Sequence, residues 1–353
     1  MNARQNDERK ARRAIALIVG TALVFASCRV SAPTMRTELV FGTVCAITLP
    51  KPDDALLARV FARLRELEAT VSANRDDTNV AEINRSSGIS PAHAAPDTIA
   101  ILRAALSYAK QTDGLFDPTI GPLVKAWGIG TDAAAVPSQD TIDAARSLVD
   151  YRRVTIGESD TVFLSKSGMR LDLGGIAKGH AADLAAQILR EAGADRAIVD
   201  LGGNIYAVGE KKRGTPWTIG IRDPETNRGA PILSIPVSNA SVVTSGAYER
   251  FFVEGGRRYH HIVNPRTGWP AETGLLSVTI VSPNSMRADA LSTSAFLLGA
   301  KEGLALVEAE PEAEAIIIDA KRRIYATSGL RGKIRVLDDR FSVADGEPEN
   351  GGL

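Results

Sequence analysis

Leu171-Asp172-Leu173-Gly174-Gly175-Ile176-Ala177-Lys178-Gly179 joins two kinds of structure at one point. Met169 to Leu173 is expected to form a strand, which breaks at Gly174-Gly175 into a helix running to about Ala192. A strand, a glycine turn and a helix start leave backbone N–H groups facing outward, the geometry of an α/β phosphate site.

Downstream, strands are expected at 196–200, 204–208, 217–222, 232–237, 242–244, 259–263 and 275–282. Met286 to Leu298 and Lys301 to Glu308 are expected to be helical, with closing strands at 314–318 and 323–327. Upstream, Glu38 to Leu49 is expected as one first strand and Ala55 to Ser72 as a helix, followed by a polar turn at 73–77. Asp97 is expected to N-cap a helix ending near Thr112. Gly114 to Gly130 is rich in glycine, proline and aromatics and is expected as a structured loop. A short helix at 138–150 and strands near 152–156 and 161–164 complete the pattern. With no internal repeat and no linker, the expectation is a single body of α+β or mixed α/β class, with two lobes, mixed sheets and flanking helices, over residues 38–340.

The chain has 353 residues, with 42 basic and 42 acidic side chains and 44% hydrophobic residues. That suits a globular enzyme and gives no electrostatic footprint for nucleic acid. Two cysteines exclude a disulfide scaffold. At the N-terminus five basic residues stand against two acidic ones before an uncharged run from Ala14 to Ala26. At about 1.5 Å per residue that run spans roughly 20 Å, short of a hydrocarbon core. It ends in Phe25-Ala26-Ser27-Cys28, which resembles a bacterial lipobox. Residues 1–27 are therefore expected as a lipoprotein signal, Cys28 as the lipidated N-terminus, 28–37 as a tether and 341–353 as a disordered tail.

The chemistry gathers in four segments: 114–128, 171–179, 260–270 and 288–294. Asp289 and Thr293 lie four apart on one helix, so both oxygens face one side. The pair suits a hard cation such as Mg2+; the alternative is a first-turn acid with a threonine bonded back to its own helix. Lys178 beyond the glycine turn could meet a phosphate or be an ordinary surface lysine. His261 could act as acid or base, or be structural. Trp127 could stack on an aromatic ligand or fill the core. Together these residues point to Mg2+-assisted chemistry on a phosphorylated aromatic ligand.

In this order, the segments resemble the FAD:protein FMN transferase (ApbE) family. Its patterns G-x-F-D-x-T-x-G-P-L with W-G, D-L-G-G-I-A-K-G, H-H-I-x-x-P-x-T-G-x-P and D-A-L-x-T match here, and Thr244 to Arg250 resembles its T-S-G-x-Y-x-R. The resemblance implies that FAD is split at its pyrophosphate. FMN then passes to a threonine or serine of client flavoproteins bearing D-x-x-[ST]-G-A-[ST], with release of AMP. It implies Asp289, Thr293 and the carbonyl of Gly175 as metal ligands. FAD contacts are implied at Phe41, Asn74, Ala126, Trp127, Gly128, Asp172, Lys178, His261 and Ile262. His261 is the candidate for proton transfer or nucleotide positioning, with Asp289 sharing that work. It also implies a lipid-anchored protein on the periplasmic face of a bacterial inner membrane.

Asn74 departs from the aromatic residue many relatives carry in that segment. A smaller polar residue admits water, so FAD hydrolysis to FMN and AMP is the alternative main reaction. A non-catalytic flavin-binding lipoprotein is the alternative from another class. The nearest local match to the client motif, Thr244 to Tyr248, ends in tyrosine, so self-modification there is not expected.

Overall fold

A computed structural model describes residues 33–226, 229–344 and 346–348. Cys28 and the signal segment lie outside the described residues. The frame is a nine-stranded sheet whose spatial order follows the chain. Its strands are β1 (Thr34–Val40), β2 (Thr43–Leu49), β3 (Ala197–Leu201), β4 (Asn204–Val208), β5 (Ala240–Gly246), β6 (Leu275–Ser282), β7 (Glu314–Asp319), β8 (Arg323–Ala326) and β9 (Ser342–Val343). Neighbours are antiparallel except β8 and β9, which are parallel.

Period-two alternation sends successive side chains to opposite faces of this sheet. Ala315 and Ile317 join a core with Val243, Val278 and Ile280. Ile316 and Ile318 join another with Ile219, Leu233 and Ile235, from a small sheet of Trp217–Arg222, Pro231–Val237 and Arg335–Val336. Helices cover the first face. In chain order the helices of the described residues are α1 (Asp54–Val71), α2 (Asn79–Arg85), α3 (Pro96–Gln111), α4 (Gly121–Trp127), α5 (Gln139–Arg146), α6 (Ala177–Glu191), α7 (Ser285–Leu298) and α8 (Ala300–Glu308), of which α4 and α5 pack apart from the sheet around Trp127. The largest core joins α1, α3 and α6 to β2, β3 and β4. The fold is mixed α/β, with several sheets and flanking helices.

The two helices that bear on the site hold one another's ends. Asp183 of α6 accepts the N–H groups of Ser285 and Met286 at 2.8 and 2.9 Å, at the start of α7. Asp289 of α7 accepts the N–H of Gly179 at 2.9 Å, in the first turn of α6. Each carboxylate satisfies donors that a helix start leaves open and sits at the positive end of the other's dipole. The helices approach so closely that a Cβ at Gly179 would lie 2.3 Å from the Ser285 carbonyl oxygen and 2.6 Å from the Met286 Cα.

Several local expectations are corrected. Glu38–Leu49 is not one strand: Phe41 and Gly42, with φ of +55° and +64°, turn the chain into the β1–β2 hairpin. Residues 34–37, expected as tether, pair within β1 because their alternate side chains cover the helical core. Met169–Leu173 forms only an isolated bridge, Ile120 to Arg170, because the segment is held by Asn84 and Pro118 rather than by a neighbouring strand. The glycine-rich stretch 114–130 contains α4, started by Pro122 in its first turn and stopped at left-handed Gly128. Asp97 lies inside the first turn of α3, not at its N-cap; Ala95 takes that place, and Asp97 binds Arg63 and His180 instead. Strand Phe251–Glu254, which pairs with Arg257–His260, and helix α2 were not expected. In the expected disordered tail, Phe341 is buried and Ser342–Val343 closes the sheet edge.

Gly179→Ala is expected to cost about 1–3 kcal/mol, since the atoms in its way are backbone and the helices must separate. The check is a lower urea midpoint with an unchanged m-value.

Candidate functional site

The glycine turn is shaped from both sides. Asn84 clamps Leu171, accepting its N–H at 2.6 Å and donating to its carbonyl at 3.1 Å. Asp172 donates its N–H to the Pro118 carbonyl, while its Oδ1 accepts the Gly174 N–H at 2.8 Å. Gly175 is thereby pressed against α7: a Cβ there would lie 3.3 Å from the Phe116 ring and 3.5 Å from Thr293 Oγ1. Thr293 Oγ1 is 3.4 Å from Ser245 Oγ, which also bonds Ser292 Oγ at 2.8 Å. Asp289, Thr293 and Gly175 are thus brought to one place by α7, β5 and the turn that starts α6.

Burial raises the carboxyl of Asp289 above its ordinary range, against the pull of the Lys178 charge and the Gly179 N–H. Asp172 and Glu249 are likewise raised by desolvation. Glu249 itself is exposed at the surface. Lys178 and Arg250 form no ion pair among the described residues, though both act electrostatically on Glu249 and His261. Charges of both signs, Lys178 and Arg250 with Asp289 and Glu249, thus lie near one another around the glycine turn. Among the described residues no three His, Cys, Asp or Glu side chains cluster to hold a metal. A cation here would need the mixed set of carboxylate, hydroxyl and carbonyl oxygens.

The two adjacent histidines differ. His260 is buried and satisfied: its Nε2 donates to the Ala271 carbonyl at 2.9 Å and its Nδ1 accepts the Ile262 N–H at 3.3 Å. His261 leaves a buried Nδ1 without a protein partner. Burial, then the charges of Arg250 and Lys178, push His261 down from 6.5 to about 3. Its imidazole is neutral at neutral pH.

Other candidates are placed differently. Trp127 is fully buried, donates Nε1–H to the Gly268 carbonyl at 2.8 Å and packs its ring on Tyr259 and Trp269. Its rings hold the loop; Ala126 and Gly128 beside it are half-buried. Ile262 is a core residue. Phe41 occupies the β1–β2 turn beside the Gly202 turn, where a Cβ at Gly202 would meet Thr43. Asn74 is exposed, its N–H bonded to Ser72 Oγ at 3.3 Å. Asp117, in the 114–124 segment, is scaffold: it accepts from Thr119 and from the Tyr151 N–H.

Sequence reasoning assigned no site role to Glu249, Arg250, Ser245 or the Asn84 clamp. A signal for Glu249 and Arg250 existed, an adjacent charge pair directly after a small-residue strand end. Asn84 gave none, because its partner is backbone 87 residues away.

A depressed His261 favours the folded state only while the ring stays neutral. Its contribution to stability is present above pH 6.5 and is lost as pH falls through that value toward about 3. His261→Gln is expected to flatten this acid limb, measured by urea unfolding across that window.

Residues 41–317 match the model of the ApbE family. The FAD:protein FMN transferase of Treponema pallidum (strain Nichols) is 42% identical over 325 residues, covering 87% of this chain and 90% of its own length. That of Klebsiella pneumoniae (strain 342) is 35% identical, covering 88% and 96%. The crystal structure of the ApbE protein from Thermotoga maritima superposes with a TM-score of 0.78 at 31% identity, covering 86% of this chain and 100% of the other. The flavin transferase ApbE from Vibrio cholerae gives 0.76 at 27%, with the same coverage. By family match, sequence identity and fold, this chain belongs to the ApbE family.

Proposed function

We propose that this chain is an FAD:protein FMN transferase. It splits FAD at the pyrophosphate and joins FMN to a threonine or serine of a client flavoprotein carrying D-x-x-[ST]-G-A-[ST]. The observation that carries the reading is the meeting of Asp289, Thr293 and Gly175 near Lys178 and Arg250, which form no ion pair among the described residues. Such a grouping suits an anion and a metal ion arriving together. Substrate names borne by the relatives agree with it.

The donor set fits Mg2+, a hard cation that takes oxygen ligands. The Asp289 carboxylate, Thr293 Oγ1 and the Gly175 carbonyl would hold it. When bound, Mg2+ supplies charge neutralisation at the pyrophosphate oxygens. Lys178 stands to pair with those oxygens and Asp172 keeps the turn in shape beneath them. His261 offers its unpartnered Nδ1 to the substrate or to the attacking hydroxyl's proton. The client oxygen bonds to the FMN phosphorus, the P–O bond to AMP breaks, and AMP leaves with the electron pair. Little else is asked of the protein than position and charge in such a transfer.

Incubation with FAD, Mg2+ and a client-motif peptide is expected to yield AMP and a peptide heavier by FMN. Asp289→Asn and Thr293→Val are each expected to lower that yield by about 100-fold or more, the scale of losing a positioned charge contact in a transition state. AMP with free FMN at equal rates with and without peptide would make FAD hydrolysis the main reaction. FAD that binds and survives intact would leave a flavin-binding protein.

We also propose that Cys28 carries a lipid anchor, holding the enzyme at the periplasmic face of the inner membrane. Among the described residues no helix is long and apolar enough to cross a membrane. Cys28→Ser is expected to move the protein from the membrane to the soluble fraction, followed by detergent phase partition.

A further inference from the structure

The row Met35–Thr48–Ile198–Ala207 runs across one face of the sheet by strand register. At β3 and β4 this face is covered, since Ile198 and Ala207 pack against the small sheet's core. Over β1 and the start of β2 it is exposed, and Ala46 and Thr48 further along β2 are half-buried. Met35, Leu39 and Val44 are 65%, 73% and 61% exposed there. Leu39 and Val44 are direct cross-strand partners. The remaining outward positions on the hairpin, Thr37, Ala46 and Thr48, are uncharged. The opposite face of β1 is engaged, with Arg36 over the Phe61 ring and Glu38 paired to Arg65. An apolar, uncharged face on the outermost strand is what natural edge strands avoid unless something covers it.

We infer that this hairpin face docks on the membrane surface itself, so that the enzyme lies with β1 and β2 against lipid. The inference rests on the lipid-anchor reading of Cys28. Pro33 lies five residue steps from Cys28, at most about 18 Å of extended chain, so acylation holds β1 within reach of the bilayer. A surface that is apolar without basic residues matches the interfacial zone of a bilayer rather than an anionic partner. The anchor then fixes orientation as well as location.

The test uses the full lipoprotein in zwitterionic vesicles containing a nitroxide-labelled lipid. A fluorophore is placed on Leu39→Cys or, as comparison, on Val343→Cys. Val343 is on β9, eight strand spacings of about 4.8 Å away, roughly 38 Å. Cys45 does not compete for label, being buried with its thiol pushed up to about 11. Quenching is expected to be severalfold stronger at 39 than at 343. Equal quenching at the two positions, with the acyl mass present on the N-terminal peptide, overturns the docking and leaves the anchor. A free Cys28 in that peptide removes the anchor and this orientation with it. Shielding at 39 that grows with protein concentration without vesicles assigns the face to a second copy, and overturns the inference.

Discussion

The molecule turns on two carboxylates exchanged between two helices. Asp183 adds to the Asn284 cap at the start of α7, and Asp289 closes the start of α6, which has no side-chain cap within its own segment. The exchange is possible only because Gly179 lets the backbones touch. It fixes the register of α6 against α7, and with it the distance from the glycine turn to Thr293. Asp289 braces the scaffold with one oxygen, and in the proposed reading it is a metal ligand as well. Any change at this residue disturbs both, so stability and activity are physically entangled there.

The site gathers charges of both signs. The carboxyls of Asp289, Asp172 and Glu249 are raised by desolvation, while His261 is driven neutral by desolvation and by Arg250 and Lys178. A metal ion would favour the ionised carboxylates, and a pyrophosphate would answer the cations. Each ligand lowers the cost of the other's site, which is thermodynamic coupling without any movement of the backbone. Proteins commonly build reactive sites this way, with charge placed before the substrate arrives.

Much of this was readable from the residues. Strand 275–282 and the helix after it fall where expected, as runs buried on nearly every side between the cores. Three of the four chemical segments are visible as stretches rich in glycine or proline, and the fourth, 288–294, as an acid and a threonine four apart on a helix. What escaped notice depended on tertiary partners. Met169–Leu173 has a strand's composition but is taken up by Asn84 and Pro118. Trp127 looks alike in a flavin loop and in a core, and only the Gly268 carbonyl and its aromatic neighbours separate the two. The hairpin at Phe41-Gly42 hides because a non-glycine residue takes the first left-handed position.

The sheet's chain-order layout has a consequence for the life of the nascent protein. Strand β2 ends at Leu49 but its neighbour β3 begins only at Ala197, so the first hairpin is made long before its partner. Lys178 emerges from synthesis well before Asp289 and Thr293, which lie near the end of the fold. Until α7 is in place, the start of α6 lacks its cap and the site lacks both residues. A flavin held here is thus a certificate of completed folding: no partly made chain can display the assembled site, and whatever stabilisation the ligand gives goes to the finished enzyme alone.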